Sequence, residues 1–94
     1  MSEPDFRDNQ AGRRFELVRD EGMVTADYER RPGTLVIRYV YAPPNLRGTG
    51  ASDRLMSEIA GLARREEVKI VALCGYARRW LSAHRAHRDL LAAS

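Results

Sequence analysis

Pro43-Pro44-Asn45-Leu46-Arg47-Gly48-Thr49-Gly50-Ala51-Ser52 is the stretch that decides the fold, because the hydrophobic period changes across it. Before it, Thr34 to Ala42 is dense in β-branched and aromatic residues and reads as a strand. Pro43-Pro44 ends that strand, since proline gives the ladder no donor and restricts the residue before it. After it, apolar residues fall at Ala51, Leu55, Ile59, Leu62 and Ala63, one face of a helix of roughly four turns ending near Arg65. Asp53, in the first turn, suits the positive end of the helix dipole.

Working outward toward the N-terminus, Pro32-Gly33 is a tight-turn signal directly after Arg30 and Arg31. Met23 to Glu29 reads as a strand with Val24, Ala26 and Tyr28 on one face. Asp20-Glu21-Gly22 is a turn, and Arg14 to Arg19 is a strand with Phe15 and Leu17 on one side. Residues 1–12 are polar and aperiodic, so a flexible lead-in is expected there, with a single domain over 13–94. Toward the C-terminus, Val68 to Cys74 is a short apolar run, consistent with a strand buried on both faces. Ala77 to Leu91 reads as helical with a break near His84. The predicted class is α+β: an antiparallel β-meander leading through a βαβ crossover into a parallel pair, then a C-terminal helix.

The chain has 94 residues, 44% of them hydrophobic and 31% charged, a globular composition near the lower end of domain size. No apolar run is long enough to span a bilayer, and the start lacks the basic-then-apolar layout of a signal peptide, so a cytoplasmic protein without membrane association is expected. One cysteine and two histidines are poor material for a disulfide framework or a metal site, and no metal is predicted. The net charge of +3 suits an anionic ligand but is too modest to single out nucleic acid. The charge is uneven: Arg78, Arg79, Arg85 and Arg88 occur with no acid between them. These arginines suit an anionic group or a solvated helix face. Binding of nucleic acid through them is the weakest of the functional readings.

Chemically, Arg47-Gly48-Thr49-Gly50-Ala51-Ser52 has the makings of a phosphate cradle. Two glycines allow a bend that points successive N–H groups inward, the helix behind adds unpaired N–H groups, and Arg47 brings a forked cation. Glycines at a strand-to-helix turn also serve simply to make the turn, and the hexapeptide alone does not separate these readings. It is not a P-loop, which needs Lys then Ser or Thr where Ala51-Ser52 stands. Nor is it a dinucleotide fingerprint, whose third glycine would fall at Asp53.

Pro43-Pro44-Asn45-Leu46-Arg47-Gly48-Thr49-Gly50 resembles the acetyl-CoA motif of the GNAT superfamily of N-acetyltransferases, with Ser52 in the motif's last small-residue place. More narrowly, the chain resembles the YjdJ-like family of very small single-domain members from about Arg14 to Leu90. The shared features are the Arg14-Phe15-Glu16-Leu17 strand, Tyr28, the Pro-Pro turn, the Ala63-Arg64-Arg65-Glu66-Glu67 helix end, Leu73-Cys74 followed by Tyr76, and Trp80, His84 and Asp89-Leu90.

The resemblance implies transfer of acetyl from acetyl-CoA, the co-substrate, to an amine acceptor that the sequence does not identify. It places pyrophosphate on Arg47, Gly48, Thr49, Gly50, Ala51 and Ser52, pantetheine along the backbone of Tyr41 and Ala42, and Ala77 beside the pantetheine arm. Where the family often shows His-Thr-Glu-Val, this chain has Tyr39-Val40-Tyr41-Ala42. Tyr41 thus stands in the place of the carboxylate, although a neutral tyrosine is a poor base. Cys74 is a candidate to contact the coenzyme or accept the acetyl group, with simple packing as the other reading, and Tyr76 is a candidate proton donor to the leaving thiolate, or equally a wall of the pocket. Trp80 is expected in the core, and His84 and His87 in solvent. The missing His and Glu also suit a different class of function, a non-catalytic acyl-CoA-binding sensor or protein-interaction module. An open, shallow acceptor site is expected; oligomeric state is not legible.

Overall fold

The computed structural model describes residues 5–92. Five strands and two α-helices follow in the order β1 Phe6–Asn9, β2 Arg14–Arg19, β3 Gly22–Arg31, β4 Thr34–Tyr41, α1 Ala51–Glu66, β5 Lys69–Ala72 and α2 Gly75–Ala83. Short 3₁₀ segments occupy Pro44–Leu46 and Arg85–Leu90. The strands form one sheet in sequence order. The first four are antiparallel neighbours, and β4 pairs with β5 in parallel across the α1 crossover.

The predicted meander, crossover and C-terminal helix are all present, with corrections at the ends. Residues 6–9, expected within the flexible lead-in, pair with β2 from Phe6 opposite Leu17 to Asn9 opposite Arg14; residues 1–4 of that lead-in lie outside the described residues. Phe6 stacks on Phe15 at 5.6 Å between ring centroids. The expectation that β5 is buried on both faces also fails. Ile70 and Ala72 are buried, Val71 is half-buried and Lys69 is exposed, because β5 ends the sheet and, among the described residues, a single bridge from Ile70 to Leu91 lies beyond it. The C-terminal helix stops at Ala83, and after His84 the chain tightens into the 3₁₀ segment. Ion pairing of Arg64 with Asp89 at 3.0 Å anchors that segment to the end of α1.

Phe15, Leu17, Val24, Ala26 and Tyr28 share the inner sheet face and pack in one cluster with Leu55, Met56 and Ile59 of α1 and Trp80 and Leu81 of α2. Burial of such side chains contributes about 1.5–3 kcal/mol each. On β4 the alternation breaks: Tyr28 pairs with Ile37 but Asp27 pairs with Tyr39, so Arg38 is an extra residue. This bulge puts Ile37 and Val40 on the same face although they are three apart, and turns Tyr39 and Tyr41 to the other. Tyr39 and Tyr41 are exposed in consequence.

Candidate functional site

Pairing between β4 and β5 ends early. The last ladder partners are Ile37 and Ala72, and Leu73 N–H donates to the Ile37 carbonyl at 2.9 Å. β4 runs on to Tyr41 with β3 as its strand neighbour, while the chain beyond Leu73 turns into α2. The two strands therefore part, and the edge of β4 after the bulge borders a groove of about 430 Å³. Its walls are Tyr39, Val40, Tyr41 and Ala42 on one side, Leu46, Arg47, Gly48, Gly50, Ser52 and Asp53 at the end, and Tyr76 opposite.

The end wall is built by the turn between β4 and α1. Leu46 and Arg47 N–H groups close a 3₁₀ turn on Pro43 and Pro44, and Thr49 N–H bonds Leu46 at 3.3 Å. The Thr49 hydroxyl donates to the Leu46 carbonyl at 2.6 Å and accepts from Ala51 N–H at 3.3 Å. Gly48 and Gly50 have φ of +78° and +89°, in the region that side chains disfavour, and a Cβ on either would meet nothing within 4 Å. Glycine is required here by backbone shape and not by crowding. Among the described residues, no hydrogen-bond partner is found for the amide N–H groups of Gly48, Gly50, Ser52 and Asp53. All four residues line the groove. Arg47 adds a cation whose Nε donates to the Ala42 carbonyl at 2.9 Å and whose guanidinium lies 6.0 Å from the Tyr41 ring centroid. Four free donors, a helix N-terminus and a guanidinium make a site complementary to an oxyanion such as a phosphate.

The structure brings together Tyr41, Ala42, Arg47, Gly48, Gly50, Ser52 and Tyr76 of the sequence-predicted residues. Thr49 supports the turn from within it. Ala51 and Ala77 are buried in the core and bring no side-chain surface to the groove. Cys74 is half-buried at the N-cap of α2, packed against the core and outside the groove wall. Burial first, and then the nearby carboxylate of Asp53, push the Tyr76 phenol above its usual value, which makes it harder to ionise than an ordinary phenol.

Asp53 is the residue whose role sequence reasoning missed. Its Oδ1 accepts from the Trp80 indole Nε1–H at 2.7 Å and lies 3.6 Å from His84 Nε2. His84 stacks on Trp80 at 3.9 Å, and its Nδ1 is 2.7 Å from the Trp80 carbonyl. His87 stacks on the same indole at 5.5 Å. Trp80 is buried as expected; His84 is exposed as expected, with one ring face on the indole, whereas His87 is half-buried against the same indole. Of the C-terminal arginines, Arg88 donates its Nε to the Ser82 carbonyl at 3.0 Å, a local role. Among the described residues, no helix is long and apolar enough to cross a membrane.

A sequence-family model described as GCN5-related N-acetyl-transferase matches residues 14–90. A GCN5-like protein of Staphylococcus aureus, solved in solution by NMR and provisionally assigned as an N-acetyltransferase, shares the fold. It aligns with a TM-score of 0.70 at 19% identity, covering 100% of this chain and 93% of its own. Among the curated proteins, none matches the sequence.

Proposed function

The chain belongs to the GCN5-related N-acetyltransferase family, and on that premise we propose that it transfers acetyl from acetyl-CoA to an amine, with the coenzyme's pyrophosphate held at the β4–α1 turn. The observation that carries the reading is the coincidence of the free N–H groups of Gly48, Gly50, Ser52 and Asp53 with the end wall of the groove. Arg47, its Nε fixed to Ala42, presents its remaining guanidinium donors to the same place. The pantetheine arm then lies along β4, where the strands part after Ile37 and the edge backbone near Tyr41 is open to an extended ligand.

Acetyl-CoA supplies the activated acyl group; the protein orients it and manages protons. Tyr76, protonated at neutral pH as a phenol is, faces the groove and is the donor for the departing thiolate. Backbone N–H groups at the parting of the strands can stabilise an oxyanion, a contribution of about 3–4 kcal/mol where such donors are well placed. Direct attack by the amine fits the position of Cys74 better than a cysteine-linked route, because the thiol stands outside the groove wall. Tyr39 and Tyr41, exposed beside the groove, leave the acceptor a shallow, open approach, suited to an amine on a peptide or small molecule.

One observation favours a second reading, a non-catalytic acyl-CoA sensor. Among the described residues the one carboxylate on the groove wall is Asp53, and it is committed to Trp80, so none of them offers the amine a free carboxylate base. Single-turnover reactions with radiolabelled acetyl-CoA and a mixture of amines, run beside calorimetry, decide between them. Label transfer with micromolar coenzyme binding is expected. Binding without transfer to any acceptor establishes the sensor, and no binding at all overturns both.

A further inference from the structure

We propose that Trp80, assisted by His84, is a positioning residue that keeps Asp53 from capping its own helix and so keeps the phosphate cradle open. The inference rests on the proposed coenzyme site at the β4–α1 turn. Gly50 is the N-cap of α1, which makes Asp53 the third helical residue. An acid at that position ordinarily reaches back to the N-cap N–H, the reciprocal half of a capping box. Here it does not: α1 has no side-chain cap, and among the described residues no partner is found for Gly50 N–H. The carboxylate is instead drawn sideways by the Trp80 indole at 2.7 Å, with His84 Nε2 behind it at 3.6 Å.

Both residues are themselves held. Trp80 is buried among the core side chains, and His84 is fixed by its stack on the indole and by Nδ1 at 2.7 Å from the Trp80 carbonyl. A carboxylate released from this grip has a ready alternative, because the free donors of the cradle lie within its own helical turn. Closing on them, it satisfies the N–H groups that a diphosphate needs and leaves a negative charge in the anion site. Two anions then compete for one set of donors, and the indole decides the competition in favour of the ligand.

The test measures coenzyme A affinity by calorimetry for the whole chain, wild type beside Trp80→Phe, His84→Ala, Asp53→Ala and the double variant Trp80→Phe/Asp53→Ala. Trp80→Phe keeps the ring but removes the indole donor, and it is expected to weaken binding on the order of fivefold, the worth of one cap. His84→Ala, at an exposed position, weakens it less and serves if Trp80→Phe does not fold. Asp53→Ala binds more tightly than wild type, since a carboxylate leaves the site. The double variant recovers at least wild-type affinity, which a merely structural role for the indole would not allow. Once acetyl transfer is measurable, Trp80→Phe raises KM for acetyl-CoA and spares kcat. Wild-type affinity in both Trp80→Phe and His84→Ala, or a double variant as weak as Trp80→Phe, overturns the inference. Failure of the wild type itself to bind coenzyme A overturns the proposed function instead.

Discussion

Arg47, Tyr76 and Cys74 can each be tested by one substitution. Arg47 is tied by Nε to Ala42, so its fork is aimed by the backbone. Arg47→Ala should weaken coenzyme binding about tenfold, and Arg47→Lys should recover only part of that, because a lysine restores charge without the fork; equal binding by both variants and wild type would remove the cation from the site. Tyr76→Phe deletes one hydroxyl from the groove. If the phenol protonates the leaving thiolate, kcat falls on the order of a hundredfold while coenzyme affinity moves far less. Cys74→Ala should keep transfer within about threefold of wild type. A collapse of turnover there, with an acetylated thiol trapped by mass spectrometry, would restore the cysteine-linked route. These residues were legible in the sequence as types in a motif. Their standing was not: Cys74 and Tyr76 are two positions apart, yet only Tyr76 reaches the groove, because a helix begins between them.

At the scale of elements, the turn between β4 and α1 was readable because proline, glycine and the change of period all mark one place. Its two glycines carry a prediction. Gly48→Ala and Gly50→Ala force a side chain into left-handed backbone, costing about 1–2 kcal/mol each, although nothing nearby obstructs the added methyl. Both positions line the groove, so each methyl also enters the space an anion needs, and coenzyme affinity should fall further than thermal stability. Variants that melt early yet bind normally would mean that the ligand approaches elsewhere. β1 escaped the sequence reading for a physical reason: Phe6-Arg7-Asp8-Asn9 has one apolar residue and no visible alternation. What holds it is supplied by others, through the stack of Phe6 on Phe15 and the hydrogen bond of the Tyr28 hydroxyl to Asp8. The bulge at Arg38 was equally hidden, since an extra residue on a strand leaves no mark until its partner's register is known. Asp53 was read as a helix-dipole acid, and only folding reveals that Trp80, 27 positions later, claims it.

For the molecule as a whole, the polar cluster that closes β1 onto the sheet sets its tolerance of acid. Glu16 is buried on the face opposite Phe15 and Leu17. It accepts from Asn9 at 3.0 Å, from Arg14 at 2.8 Å and from Arg7 at 2.7 Å. Those hydrogen bonds, Asn9 and Arg14 foremost, hold its carboxyl down at about 2, against 4.5 unperturbed, with burial opposing them. A carboxyl depressed in the folded state binds its proton more readily when unfolded, so its stabilisation is present above pH 4.5 and drains away as pH falls toward 2. Since Arg7 is exposed and Arg14 half-exposed, solvent screening discounts the contribution to about 1–2 kcal/mol. In a domain this small that is about 5 °C or more of melting temperature. Glu16→Gln should therefore melt lower at pH 7, and the gap to wild type should narrow steadily between pH 4.5 and 2, as wild type loses what the variant never had. Melting curves in buffers across that range check it, and a gap that stays constant with pH would place the effect of Glu16 in packing and not in charge. The cluster also bears on the groove, because β1 and β2 carry the antiparallel half on which β3 and then β4 are built. Loss of the outer strands in acid should precede loss of the β4 edge that borders the groove, so coenzyme protection of Gly50 N–H from exchange should persist to lower pH than protection of the β1–β2 ladder.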